Sequence, residues 1–257
     1  MRVTVLGSGT SFGVPVIGCD CRVCTSSDPR DRRTRTAAVI ENAEGQRILI
    51  DTPPELRLQL VDAGIDGVNA VLYTHEHADH VHGIDDLRAI SLKHGSLSLW
   101  GPERTLSEIE ARFNYIFDPA IQPARGTSKP ALELHPLAPW DDVEISGMRV
   151  IPVEVDHGGT AVFGYRVGDV GYVTDAKSVS DRAVGLLRGV KVLILNALFD
   201  RPHATHLSID EAIEIATQIE APEVYFTHLT HKFSHVDLER RLPEGISPAY
   251  DGLTVTF

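Results

Sequence analysis

Positive charge is scarce in this sequence. Lysine and arginine number 24 against 36 aspartates and glutamates, for a formal net charge of −12. Such a deficit argues against broad electrostatic binding to nucleic acid or to an anionic membrane. It does not exclude a small anionic ligand, because the local field decides what enters a pocket. Long apolar runs are missing too, and no window approaches the roughly 18 residues that a membrane span needs. Met1-Arg2 opens straight into Val3-Thr4-Val5-Leu6, which reads as a strand rather than a signal peptide. Cysteine is rare, and three residues are an odd number for a disulfide framework. These absences make a cytoplasmic location the expectation. No internal repeat and no low-complexity tract stands out.

What is present is a dense histidine motif. Thr74-His75-Glu76-His77-Ala78-Asp79-His80 follows the apolar stretch Ala70-Val71-Leu72-Tyr73. These side chains are too close in sequence to serve one tetrahedral ion together, but they can serve two adjacent ions. Two first-row metals need more ligands than four. Three further apolar, strand-like runs end in a suitable side chain: His157 after Arg149–Val155, Asp175 after Gly171–Thr174, and His228 after Glu223–Thr227. The pattern predicts a dinuclear site. His75, His77 and His157 hold one ion, Asp79, His80 and His228 hold the other, and the two oxygens of Asp175 bridge them. Zinc or manganese suits this donor set, and iron is also accommodated.

The spacing His-x-His-x-Asp-His at 75 to 80, followed in order by His157, Asp175 and His228, resembles the metallo-β-lactamase superfamily. The resemblance covers nearly the whole chain. It implies an α/β fold of the αββα type, two mixed sheets face to face with helices outside and metals at one edge. The N-terminal run Leu6 to Pro15, the cluster Cys19-Asp20-Cys21-Arg22-Val23-Cys24 and Asp28-Pro29-Arg30 resemble the PhnP-like branch, as does the tail Tyr250-Asp251-Gly252-Leu253. That branch is named for a cyclic phosphodiesterase. In it the cysteine segment is a structural zinc site whose fourth ligand matches His231. An aspartate at the place of Asp51 supports the metal loop there without ligating, while the residues alone also allow a turn or helix cap.

Close spacing of the three cysteines suits chelation better than disulfide bonding. Three thiolates and an imidazole make a closed, structural zinc site. The zinc loop at about 18–30 is then tied to the loop carrying His228. Convergence of ligands from His75 to His228 favours one domain over residues 1–257, and 42% hydrophobic content supplies its core.

The resemblance, with the predicted ions, points to a phosphodiesterase in which a metal-bridging hydroxide attacks a small cyclic phosphate. The leading candidate is 5-phosphoribosyl 1,2-cyclic phosphate, with 2′,3′-cyclic nucleotides as related substrates. An alkoxide leaving group calls for a general acid. Arg201-Pro202-His203-Ala204-Thr205-His206-Leu207 offers two imidazoles, and the resemblance assigns His206 to the scissile phosphate, with Asp79 essential beside it. The same hydroxide could attack a thioester or lactone carbonyl. A transfer-RNA-processing endonuclease lacks support from the net charge and from any RNA-gripping arm. A non-catalytic metal-binding module would carry a degraded motif, whereas this one is intact. A homodimer is implied by the resemblance alone.

Elsewhere, residues 39–42 and 47–50 read as a hairpin, and 55–60, 84–93, 106–113 and 180–187 as helices. Ser208 and Glu211 form a capping-box pattern opening a helix to Ile219. Asp85 and Asp86 suit the positive end of the helix after the metal loop. The proline-interrupted stretch from 118 to 139 reads as an irregular loop. His82, His94, His135 and His235 read as surface residues. Gly7-Ser8-Gly9 reads as a tight turn bringing Thr10 and Ser11 towards the site.

Overall fold

The computed structural model describes all of residues 1–257. In chain order the first part holds β1 (Arg2–Gly7), β2 (Ala37–Glu41), β3 (Arg47–Ile50), α1 (Leu56–Asp62), β4 (Ala70–Leu72) and α2 (Ala78–Val81). It continues through α3 (Leu87–His94), β5 (Leu97–Pro102), α4 (Glu103–Arg112), α5 (Asn114–Phe117) and β6 (Leu132–Leu137). The second part holds β7 (Val143–Ile145), β8 (Met148–Asp156), β9 (Ala161–Val167), β10 (Val170–Val173), α6 (Asp181–Leu187) and β11 (Val192–Asn196). It ends with α7 (Ile209–Ile219), β12 (Glu223–Thr227), α8 (His235–Arg241), β13 (Ile246–Pro248) and β14 (Thr254–Thr256).

Two mixed seven-stranded sheets result, ordered β14-β1-β2-β3-β4-β5-β6 and β13-β12-β11-β10-β9-β8-β7. From β14 to β6, three antiparallel pairings are followed by three parallel ones. The other sheet, read from β7 to β13, has the same succession. The sequence showed no repeat, yet the topology contains one. Side chains of opposite polarity and size can serve equivalent strands, because pairing is a backbone property.

Central strands such as β2, β10 and β11 are buried on both faces, as sheets covered by helices must be, whereas the edge strands β6, β7, β13 and β14 are partly exposed. Alternation sorts their side chains: Ile48 and Ile50 face the other sheet, while Leu49 faces the helices. The inter-sheet core draws on both sheets, from Val3, Ile40 and Leu72 to Tyr165, Tyr172 and Ile194. Outer clusters lie under α1, α3 and α4 on one side and under α6, α7 and α8 on the other. The four layers are helix, sheet, sheet, helix.

Three sequence expectations need correction. The stretch from 118 to 139 is not loop throughout, since β6 pairs with β5 in register Leu97 to Leu132 and Leu99 to Leu134. Its Pro136 is tolerated because β6 is an edge strand, where a missing N–H breaks no ladder. His235 is not a surface residue: it is buried, its backbone N–H donates to Asp31 Oδ1 at 2.6 Å, and its ring meets Tyr250 edge-on. His135, also read as a surface residue, is half-buried and stacks on Trp100 with centroids 4.4 Å apart. His82 and His94 are exposed. Gly7 and Gly9 serve close backbone approach, because a Cβ on either would lie 2.0 Å from the Arg35 carbonyl oxygen or 2.5 Å from that of Arg33.

Candidate metal centre

Strand direction assembles the site. β3, β4 and β5 run parallel, as do β10, β11 and β12, and β8 shares the direction of β10 through the intervening antiparallel β9. Their carboxyl ends therefore lie at the edge from which ligand-bearing loops project, the usual place for sites in open α/β sheets. At three of these exits a non-glycine residue enters the left-handed region: Asp51 at φ 63°, Asp175 at 56° and His228 at 58°. Such conformations are uncommon outside glycine and cluster where surrounding structure demands them. Asp51 and Asp175 follow β3 and β10, the strands that the topological repeat makes equivalent.

The side chains predicted to ligate come together. Ligand atoms of His75, His77 and His157 lie within 4.8 Å of one another, as do those of Asp79, His80 and His228. Asp175 groups with His75 and His80, and again with His157 and His206, so it lies between the two triads. His80 Nε2 is 3.3 Å from Asp79 Oδ2 and 3.4 Å from Asp175 Oδ2, and His228 Nε2 is 3.3 Å from Asp175 Oδ1.

Neighbours select the tautomers. His157 Nδ1 lies 2.8 Å from the Thr205 carbonyl, which can only accept, so the proton sits on Nδ1 and Nε2 is free to ligate. His80 Nδ1 is 2.7 Å from Asp51 Oδ2. Asp51 also accepts from the Thr74 backbone N–H at 2.9 Å and its hydroxyl at 2.8 Å. Asp51 thus holds the histidine loop and orients His80 without joining the cluster, and the helix-cap alternative fails because the N-cap position of α1 is Glu55. Asn196 grips both the N–H and the carbonyl of Ala176, steadying the turn that presents Asp175.

Asp51, Asp79 and Asp175 concentrate negative charge around His80. Burial opposes charge on His80, yet Asp79, Asp51 and Asp175 around it hold its imidazolium well above the ordinary range. Burial pushes His228 down to about 4 and His75 well below its usual value. Burial would raise Asp175, but His228, His80 and His206 outweigh it and keep the carboxylate ionised. His80 Nε2 and both ring nitrogens of His228 are buried with no hydrogen-bond partner. Orphaned imidazole nitrogens facing buried carboxylates are costly without an ion, and the donor set fits divalent metals.

The second cluster fits zinc equally well. Sγ of Cys19, Cys21 and Cys24 lie 3.4, 3.5 and 3.4 Å from His231 Nδ1. A tetrahedron built on ordinary Zn–S and Zn–N lengths has such an edge, about 3.5 Å. The Cys24 backbone N–H holds the Cys21 thiol down at about 6, while burial raises that of Cys24 to about 11. A buried guanidinium supports this corner. Arg33 pairs with Asp31 at 3.3 Å and donates to the carbonyls of Thr230 and Phe233, on either side of the loop that carries His231. The sequence reading missed this clamp, along with Thr74, Asn196 and Thr205, because nothing local marks them.

Comparison with known proteins decides the family. The model of the beta-lactamase superfamily domain matches residues 46–229. The chain belongs to the metallo-β-lactamase superfamily. Within it the chain is PhnP-like: a crystal structure described as a new diphosphatase from the PhnP family superposes with a TM-score of 0.91 at 41% identity, covering 100% of this chain and 97% of that one. An octanoyltransferase of Porphyromonas gingivalis is 40% identical over 98% of this chain and 51% of its own length. The coenzyme PQQ synthesis protein B of Rhodopseudomonas palustris is 31% identical over 60% of this chain and 52% of its own. The chain thus spans about half the length of these curated relatives. The superfamily implies divalent metal ions, and no helix is long and apolar enough to cross a membrane.

His206 occupies a position beyond the one expected. Its Nε2 is 2.9 Å from Asp175 Oδ1, its Nδ1 is 2.8 Å from Thr205 Oγ1, and its ring stacks on His228. It therefore lies inside the cluster and is itself able to ligate. His203 lies outside, with its ring 5.4 Å from that of His206 and its Nδ1 near the Thr205 hydroxyl.

Proposed function

We propose that the protein is a phosphodiesterase hydrolysing small cyclic phosphates, with 5-phosphoribosyl 1,2-cyclic phosphate the first substrate to test. The observation that carries this reading is the convergence of two ligand triads on the shared Asp175, alongside 41% identity to a PhnP-family diphosphatase. His75, His77 and His157 would hold one divalent ion, Asp79, His80 and His228 the other, and Asp175 both. Bound there, such ions supply Lewis acidity and bring a water's pKa towards neutrality. Zinc or manganese suits the histidine and carboxylate donors, and zinc suits the thiolate cluster.

The chain's own groups then position and protonate. A carboxylate only accepts, so His206 Nε2 carries the proton it points at Asp175, while the Thr205 hydroxyl donates to Nδ1. This places an N–H donor at the cluster, where it can bind a phosphoryl oxygen or protonate a departing alkoxide. The partner in this reading is a small anionic phosphodiester. It needs neither a membrane nor a nucleic-acid surface, in keeping with the charge of −12. Residues 1–257 act as one catalytic unit, since both sheets contribute ligands.

A second reading, hydrolysis at a thioester carbonyl, takes its support from the octanoyltransferase name of the Porphyromonas gingivalis relative. One assay separates the two. Protein loaded with manganese or zinc is given a ribose 1,2-cyclic phosphate, a linear aryl phosphodiester, a diphosphate diester and an acyl thioester, with Asp79→Asn as control. Preference for the cyclic phosphate, abolished in the control, supports the proposal. Turnover of the thioester with none at phosphorus overturns it, and preference for the diphosphate diester moves the substrate to the anhydride class.

A further inference from the structure

Glu76 stands between two proposed ligands, His75 and His77, yet its carboxylate is absent from the ligand groups. It faces α4 instead. Thr105 Oγ1 donates to Glu76 Oε2 at 3.1 Å, and Arg104 reaches Oε1 at 2.9 Å. The Arg112 guanidinium donates to the Glu76 backbone carbonyl. The Glu76 side chain is only 12% exposed, and Thr105 is buried. Farther along the loop, Tyr115 of α5 donates to Asp85 at 2.6 Å, and Phe113 meets the His82 ring edge-on. The α4–α5 segment thus holds the loop between its first two proposed ligands and again beyond the last of them.

The other two imidazoles of the first triad have dedicated partners. His75 Nδ1 lies 3.0 Å from the Thr74 hydroxyl, and His157 Nδ1 donates to the Thr205 carbonyl. His77 has no such partner: its ring is exposed, and its one hydrogen-bonding contact is His75 Nε2 at 2.9 Å. A metal-ligating histidine is ordinarily aimed by a hydrogen bond to its second nitrogen. For His77 that aim must come from the backbone.

We infer that Glu76 is a positioning residue for His77, anchored on Thr105 and Arg112, and that this anchor sets the affinity of the ion shared by His75, His77 and His157. The inference rests on the dinuclear reading above. Because alternate residues of an extended segment point opposite ways, fixing the Glu76 side chain on α4 turns its neighbours towards the cluster. Buried Thr105 contributes more than Arg104, whose side chain is 70% exposed and screened by solvent.

The test is metal affinity rather than turnover. Apoprotein is titrated with cobalt(II) against a competing chelator, following d–d absorption for the imidazole and carboxylate sites and the thiolate charge-transfer band for the cysteine cluster. Glu76→Ala and Thr105→Val are expected to weaken one active-site ion by about 10-fold to 100-fold, the range for losing an outer support. Thr105→Ser and Glu76→Gln retain the hydrogen bond and should stay near wild type, as should Arg104→Ala. The thiolate band should be unchanged throughout. Wild-type protein that takes up fewer than two active-site ions removes the dinuclear reading itself. Two ions in wild type, held equally tightly by Glu76→Ala, overturn the inference. If Glu76→Ala does not fold, Thr105→Val decides: unchanged affinity and spectrum overturn it.

Discussion

Asp51 accepts from Thr74 twice and pairs with His80 at 2.7 Å, so it would act on a bound metal only through other residues. Asn tolerates the left-handed region better than most residues. Asp51→Asn should therefore keep the fold and lower affinity for the ion on His80 by about 10-fold to 100-fold, read by chelator competition. Asp51→Ala should in addition lose thermal stability, because it carries a Cβ at φ 63° without the hydrogen bonds that repay it. His206 poses a different question at the same scale. If it acts on the substrate, His206→Ala keeps both active-site ions and loses turnover, whereas loss of one ion on metal analysis would make it a ligand. The clustering of Asp79, His80 and the other motif residues was legible because ligand chemistry restricts candidate donors to few side-chain types. Thr205 was not, since its carbonyl acts on His157 and any residue has a carbonyl.

Among elements, the loop after β12 carries both His228 and His231 and so joins the two candidate metal-binding groups. It is held by Arg33, which is 1% exposed and balanced by Asp31. Removing one partner of a buried pair leaves the other charge uncompensated, so Arg33→Ala should cost about 3–5 kcal/mol in urea unfolding. A double variant, Arg33→Met with Asp31→Leu, should recover much of that loss. Cys21→Ser should give protein with less zinc and a Tm lower by about 4–8 °C, for a loss on the order of 2 kcal/mol. Unchanged melting and zinc content would remove the structural role of the cluster. The helix opening at Ser208 was readable because the capping box is local, and it is present with both hydrogen bonds. β6 was misread because its strand character comes from pairing with β5, whose partner residues lie 35 positions earlier in the chain, and not from its own proline-interrupted sequence.

At the scale of the molecule, two hydrogen bonds join the sheets beside the metal loop. The Tyr165 hydroxyl donates to the Tyr73 carbonyl at 2.5 Å, and the Phe163 N–H to that of Thr74 at 3.1 Å. Tyr165 is fully buried, so Tyr165→Phe should cost about 1–2 kcal/mol by leaving the Tyr73 carbonyl unpaired. A loss beyond that range, with altered metal affinity, would show that the inter-sheet contact also tunes the site. From sequence alone came the side chains that converge, their order and their placement after apolar strand-like runs, since metals accept few donors and buried strands few residues. The family resemblance carried the sandwich with it. Which donors face which, and what aims them, was decided only by tertiary structure. Parallel strand direction brings distant chain segments to one edge, three left-handed residues turn the chain there, and backbone carbonyls, hydroxyls and a buried arginine complete the support. Those groups occur throughout any sequence, and only folding determines which of them reach a ligand.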